Sequence, residues 1–195
     1  MCGRYLIDDN TFRAIRALTQ NPDCGTVLQL RTGDVFPGQT APVLLPDPSG
    51  LTVRLQSWGF PVFGKNRLVF NARSESVLEK PMFRDSVRLR RCIIPAGAFY
   101  EWNPSKEKYT ISHPDHRLLF LAGLYNRFDD EDHFVILTTK SNRSMAAIHP
   151  RMPLILENDQ LSDWLRDAAR TEAFLQQIPP DLETVTEYHQ QTLEF

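Results

Sequence analysis

Arg91-Cys92-Ile93-Ile94-Pro95-Ala96-Gly97-Ala98-Phe99-Tyr100-Glu101-Trp102 is the stretch on which the fold turns. It reads as two strands in immediate succession, 91–95 and 97–102. Further strands follow at 107–112, 118–127 and 133–139, all rich in Ile, Phe, Tyr, Leu, Val and Thr. The links between them are short, so the spacing predicts antiparallel pairing, curled around one core. Upstream, residues 3–7, 42–46, 51–58 and 67–71 read as strands, the middle two joined by the turn Pro46-Asp47-Pro48-Ser49-Gly50. Asp8 or Asp9 caps a helix with Phe12, Ile15 and Leu18 on one face. Residues 21–38 read as irregular, 72–79 and 82–89 as a helical pair broken by Pro81, and 142–148 as a short helix. Leu154 to Leu156 is a buried strand, and helices follow at 158–167 and 170–177. The class is α+β, with the sheet flanked by helices.

The 195 residues are 42% hydrophobic and 24% charged, an ordinary globular composition long enough for one substantial core. No repeat, long linker or low-complexity tract divides the chain, so 1–195 is read as a single domain. The net charge of −2 advertises no overall field for nucleic acid, so any such contact needs a local patch. Three cysteines, Cys2, Cys24 and Cys92, form no CxxC pair and follow no signal segment; this fits a reducing, cytoplasmic setting. No apolar run is long enough to span a membrane.

The chain begins Met1-Cys2-Gly3-Arg4-Tyr5. If Met1 is removed, Cys2 carries a free α-amine beside its thiol. An amine condenses with an aldehyde to an imine, and the adjacent thiol can close on that imine as a five-membered thiazolidine. Reference pKa values of about 7.7–8.0 for the amine and about 8.5 for the thiol leave a minority of each reactive at neutral pH. A cysteine in a frayed terminus is the plain alternative.

Three other segments hold chemistry-bearing side chains. Asn71 ends a strand and Arg73 follows it, a planar amide and a guanidinium suited to a sugar or phosphate; a helix cap plus a solvated arginine reads equally simply. Glu101 lies in an aromatic strand, sharing a face with Phe99 while Tyr100 and Trp102 point the other way. A carboxyl against apolar surface suits acid–base work; an edge glutamate facing water is the alternative. His149 sits in Ile148-His149-Pro150-Arg151-Met152-Pro153 and is a candidate proton shuttle, or a structural turn histidine. Arg84, Arg88, Arg90 and Arg91 crowd eight residues as a phosphate track or a solvated helix face. Trp58 ends a strand where it would either stack on a base or pack in the core. No zinc spacing, phosphate-binding glycine loop or dinucleotide fingerprint is present, so neither metal nor cofactor is expected.

Taken in order, Cys2-Gly3-Arg4-Tyr5, Asn71-Ala72-Arg73-Ser74-Glu75, Gly97-Ala98-Phe99-Tyr100-Glu101-Trp102 and His149-Pro150-Arg151-Met152-Pro153-Leu154 resemble the SOS-response-associated peptidase family, also called abasic-site processing proteins. The resemblance covers essentially the whole chain. It implies a compact α+β domain with a barrel-like sheet, binding to single-stranded DNA and covalent linkage to abasic sites. It implies Cys2 as the crosslinking nucleophile, Asn71 at the sugar, Glu101 and His149 as proton carriers, and Arg4, Arg73 and Arg151 on phosphates; Trp58 and Arg84, from the aromatic strand end and the basic run, are further expected DNA contacts. The family name also implies self-processing; the imine chemistry itself leads to an expectation of weak lyase activity, and the chain is expected to be a monomer. Where many members read Asn-x-Ala-Pro, this chain has Asp34-Val35-Phe36-Pro37; the charge of Asp34 sets that loop apart.

Two rival readings stay open at this point. One is an N-terminal-cysteine glutamine amidotransferase, which also begins Met-Cys-Gly but usually carries an Asn-Gly pair that this chain lacks. The other is a non-enzymatic reader of single-stranded or modified DNA with a passive Cys2.

Overall fold

The computed structural model describes residues 2–19 and 31–186. Residues 21–30 of the stretch read as irregular, with Cys24, and also His189, lie outside the described residues. In chain order the elements are β1 (Tyr5–Ile7), α1 (Asp9–Leu18), β2 (Gly33–Val35), β3 (Thr40–Asp47), β4 (Gly50–Trp58), β5 (Phe60–Pro61), β6 (Leu68–Val69), β7 (Asn71–Arg73), α2 (Arg84–Leu89), β8 (Arg91–Ala96), β9 (Ala98–Trp102), β10 (Lys108–Ser112), β11 (Leu119–Phe128), β12 (Glu131–Lys140), β13 (Arg151–Pro153), β14 (Ile155–Leu156), α3 (Leu161–Arg166), α4 (Thr171–Gln176) and β15 (Glu183–Thr186).

β12 pairs with β4, β4 with β3, β3 with β8, β8 with β11, and β11 returns to β12, which closes a five-stranded barrel. Closure removes the open edges that a free sheet would expose. A second sheet, ordered β15-β10-β9-β1-β2, is antiparallel throughout. The expectation of antiparallel pairing fails at two places: β12 runs parallel to β4 and to β7. Long stretches of chain separate these partners, and only hairpin-scale links impose antiparallel order.

The chain passes from barrel to second sheet at Gly97, between β8 and β9. A Cβ there would lie 2.9 Å from the Asp8 carboxylate, so the residue must be glycine for the two sheets to close up. Asp8 is itself committed: its carboxylate accepts from the Thr11 amide at 2.8 Å and caps α1.

Strand alternation divides the apolar residues between two clusters. Cys92, Ile94 and Ala96 of β8 join Cys2, Tyr5, Phe99 and Ile111, between barrel and second sheet. Ile93 faces the other way and joins Val87, Trp164, Leu165 and Phe174 from the helices. No helix among the described residues is long and apolar enough to cross a membrane.

Several local expectations are corrected. Residues 72–79 are not one α-helix: β7 takes Asn71–Arg73 alongside β12, and only a short 3-10 helix at Ser74–Ser76 follows. Pairing to a strand edge outweighs the weak helical propensity of so short a segment. The 67–71 strand is split between β6, which pairs with β5, and β7. Residues 142–148 form hydrogen-bonded turns, because the Asn142 side chain accepts from the Ser144 amide and hydroxyl and competes with a helix. Gly33–Val35, read as irregular, pairs with β1, and Glu183–Thr186 adds an unanticipated edge strand.

Arg91 also departs from its reading as part of a basic surface. Only 5% of it is exposed. Its guanidinium donates to the carbonyls of Val87 and Arg88 at 3.0 and 2.8 Å, and to those of Trp164 and Leu165. These are last-turn carbonyls of α2 and α3, so one cation caps the negative ends of two helices. Arg91→Ala strands those acceptors in the interior. It lowers the unfolding free energy by about 3–5 kcal/mol, and Arg91→Lys recovers only part of the loss because an ammonium cannot fork between two helices. Urea denaturation at unchanged m-value measures both; parent-like midpoints for Arg91→Ala would contradict the capping role.

Candidate functional site

Cys2 is fully buried, an unusual place for a residue so near a chain end. Its carbonyl accepts a hydrogen bond from Asn71 Nδ2 at 2.8 Å. Its Sγ approaches the Arg4 carbonyl at 3.8 Å, a weak contact. The strand that follows is clamped by the Tyr100 amide donating to the Arg4 carbonyl at 3.0 Å and the Gly97 amide donating to the Leu6 carbonyl at 2.9 Å. Beneath lies an aromatic floor: the Trp58 ring sits 5.1 Å from Tyr5 and stacks on Phe134 at 6.2 Å.

Asn71 reaches Cys2 because β7 is held beside β12, with Asn71 opposite Ile136. Its Oδ1 is buried with no hydrogen-bond partner among the described residues, so the amide keeps acceptor capacity at the site. β9 turns Glu101 inward with Phe99, as the alternation predicts, and leaves its side chain 5% exposed. Glu101 Oε1 lies 4.0 Å from His149 Nδ1. That nitrogen is also 3.0 Å from both the amide nitrogen and the carbonyl oxygen of Arg151, which fix the ring.

The Cys2 thiol is strongly perturbed. Burial pushes it from an ordinary 9.0 up to about 12; the Glu101 charge adds to the rise and the Arg4 carbonyl contact opposes it. The thiol is therefore protonated at neutral pH, and it feels the charge state of Glu101 directly. A thiol, a carboxyl and an imidazole thus share one enclosed place. This arrangement suits nucleophilic attack with proton transfer. Among the described residues no group of three or more His, Cys, Asp and Glu side chains is arranged to hold a metal.

The family model for SOS response associated peptidase (SRAP) matches residues 1–192. The chain belongs to this family. A curated relative from Bacillus subtilis, abasic site processing protein YoaM, is 32% identical over 176 residues, covering 82% of this chain and 78% of its own. Abasic site processing protein YedK of Escherichia coli is 26% identical, covering 68% and 64%. Among solved structures, a Bacteroides thetaiotaomicron protein superposes with a TM-score of 0.81 at 22% identity, over 95% of this chain and 91% of that one. A Bordetella bronchiseptica protein gives 0.79 at 23% identity, over 96% and 100%. These likenesses establish the SRAP fold.

The remaining residues singled out in this SRAP chain are placed unevenly. Arg4 lies on the outer face of the second sheet, its guanidinium 5.1 Å from the Phe36 ring and 4.8 Å from the Tyr100 ring, and paired with Asp34. Arg73 is exposed at the end of β7. Arg151 is committed within the protein: its side chain is 14% exposed and bonds to Glu75 at 2.9 Å and to the Thr138 carbonyl at 2.6 Å. It braces the turn that carries His149. Arg84 stands on α2, whose Val87 packs into the helix-covered cluster and not the one that holds Cys2.

Trp58 needs correction as a stacking residue. It is fully buried, and its indole N–H donates to the Phe70 carbonyl at 2.9 Å, so a base has no access to it. The exposed aromatics among the described residues are elsewhere: Phe63, fully exposed, Trp102 at 41% and Phe36 at 42%. Alternation along β9 already placed Trp102 on the face opposite Glu101; what the sequence lacked was the sign that this face is uncovered.

The buried thiols set an alkaline limit on stability. Burial also raises Cys92, and Tyr5 is raised by burial with Cys2 and Cys92 adding to the rise. Above about pH 9 the unfolded chain sheds thiol protons that the folded chain keeps, so unfolding gains and stability falls by about 1.4 kcal/mol per pH unit for each such thiol. Denaturant titrations between pH 7 and 10.5 should show this decline. Cys2→Ser should make it shallower by one group's share, and an unchanged slope in that variant would rule out a buried, protonated Cys2.

Proposed function

We propose that this protein processes abasic sites in single-stranded DNA, linking to them covalently through Cys2 once Met1 has been removed. The observation that carries the reading is the enclosure of Cys2 within electrostatic reach of Glu101, which itself lies 4.0 Å from His149. The names of the curated relatives point the same way.

An abasic deoxyribose equilibrates with its ring-opened C1′ aldehyde, and His149 assists that opening. The neutral Cys2 amine attacks C1′ and forms a C–N bond. Glu101 and His149 carry protons as the carbinolamine loses water to give the imine. The protonated imine places a positive charge beside the thiol and so favours its ionisation. The Cys2 proton passes to Glu101, whose neutralisation removes the share of the rise that its charge adds to that of burial. Sulfur then bonds to C1′ and the C=N double bond becomes single, closing a thiazolidine. Closure is intramolecular, with an effective molarity of about 10⁵ M or more for well-oriented groups. Asn71 holds the Cys2 carbonyl and keeps the amine aimed. If a base instead removes a C2′ proton from the imine, the 3′ phosphate leaves by β-elimination, a weak lyase outlet.

Arg4 and Arg73 hold flanking phosphates, whereas Arg151 acts through His149. Phe36 and Trp102, with Arg4 and Lys108 held against the buried Tyr100 ring, support a single-strand partner, since unpaired bases stack on such aromatic and cationic surfaces. These groups lie on the opposite side of β9 from Glu101. A strand that gives its abasic sugar to Cys2 therefore carries neighbouring nucleotides round onto the outer face.

The test is a denaturing gel of Met1-trimmed protein with a single-stranded abasic oligonucleotide. The parent should give a band stable to detergent and heat. Cys2→Ser, which keeps the amine but lacks a good ring-closing nucleophile, should lose the stable band while retaining strand cleavage. Glu101→Gln should slow crosslinking by about 10²-fold or more. A heat-stable adduct with Cys2→Ser would sink the thiazolidine; equal binding to intact and abasic strands with no resistant band would favour a passive reader.

A further inference from the structure

Asp34 sits where the chemistry of the site would not obviously want a negative charge. It lies in β2 beside β1, opposite Leu6, on the same outer face as Arg4 and Tyr100. Its carboxylate is paired with the Arg4 guanidinium. Burial tends to raise the Asp34 carboxyl, but hydrogen bonds from Arg4 and Tyr100 and the charges of Arg4 and Lys108 outweigh it and hold it below its usual value. Asp34 is therefore ionised, and it neutralises Arg4 in the protein as it stands.

Two further observations bear on what this pair does. First, Arg4 does not depend on Asp34 for its orientation: its guanidinium packs against the rings of Phe36 and Tyr100, at 5.1 and 4.8 Å. Second, the pair is partly exposed, with side-chain exposures of 27% for Arg4 and 25% for Asp34, while Arg4 Nε is itself buried with no hydrogen-bond partner among the described residues. A partly exposed ion pair is weak, screened by salt and readily exchanged. A guanidinium fork accepts a phosphate oxygen pair as readily as a carboxylate.

We infer that Asp34 is an internal competitor for the DNA backbone: its carboxylate occupies the Arg4 fork in the free protein and must be displaced by a phosphodiester before Arg4 can hold the strand. Asp34 thereby sets the affinity of the site, lowering it for any single strand and reserving tight retention for strands that Cys2 captures covalently. The inference rests on the proposed reading of the protein as a single-strand DNA binder.

The experiment is equilibrium binding of an undamaged single-stranded oligonucleotide by fluorescence anisotropy across a salt series, beside the abasic crosslinking gel. Asp34→Asn keeps the shape of the side chain and frees Arg4. It should bind about three- to tenfold tighter at low salt, and its plot of log affinity against log salt should steepen by about 0.7, the share of one extra phosphate contact on a single strand. Asp34→Ser should behave alike, which guards against misfolding of either variant. Asp34→Glu should stay near the parent. Asp129→Asn, at the β11–β12 turn where positive φ suits asparagine, removes the same charge elsewhere and should also stay near the parent. Equal or weaker binding by Asp34→Asn and Asp34→Ser, or an equal gain from Asp129→Asn, overturns the inference. If the parent crosslinks abasic DNA while the Asp34 variants gain nothing, only the role of Asp34 falls. If the parent neither binds nor crosslinks, the functional reading fails and takes this inference with it.

Discussion

The hydrogen bond from Asn71 Nδ2 to the Cys2 carbonyl joins residues 69 positions apart and turns a chain end into part of the core. A terminus left to itself frays, and a frayed cysteine has no fixed neighbours. Here β1 is zipped between β9 and β2, and the Asn71 amide seizes the backbone just beyond the zipper. Everything chemical about the site follows from that anchoring. Glu101 acts on the Cys2 thiol because both are held in the same enclosed space, where charge is poorly screened. His149 joins them because Arg151, locked to Glu75 and Thr138, presents its backbone to the imidazole.

The barrel explains how four distant segments meet. β12 is the hub: it pairs with β11, β4, β7 and β13, and so brings Asn71 and the Arg151 turn to one end of the same strand. β8 and β9 then carry the chain from barrel to second sheet across Gly97, which delivers Glu101 to the interior side. Two clusters result, one between the sheets holding Cys2 and one under the helices holding Trp164 and Phe174. The proposed chemistry is confined to the first, and Arg91 secures the second by capping α2 and α3 together.

Much of this was legible in the residues. The five strands from 91 to 139 and the Asp8-capped helix follow from β-branched and aromatic runs and from helical spacing, which depend on local chemistry alone. The inward turn of Glu101 followed from period-2 alternation. What escaped was set by tertiary partners. β7 replaces an expected helix because β12 offers an edge. Trp58 and Arg91 are a core ring and a helix cap, although an aromatic at a strand end and an arginine in a basic run look alike whether buried or exposed. Trp102 and the Arg4–Asp34 pair become visible only once the outer face of the second sheet is seen to be uncovered.

The central claim is that Cys2 bonds to the lesion through both its nitrogen and its sulfur. Trypsin cleaves after Arg4, so mass spectrometry of digested adduct reads the tripeptide Cys2-Gly3-Arg4 directly. The account predicts a sugar remnant on that peptide, added with loss of one water, and a sulfur that no longer takes up iodoacetamide under denaturing conditions. A remnant on a lysine such as Lys108 or Lys140, or on the tripeptide with its thiol still open to alkylation, would contradict it.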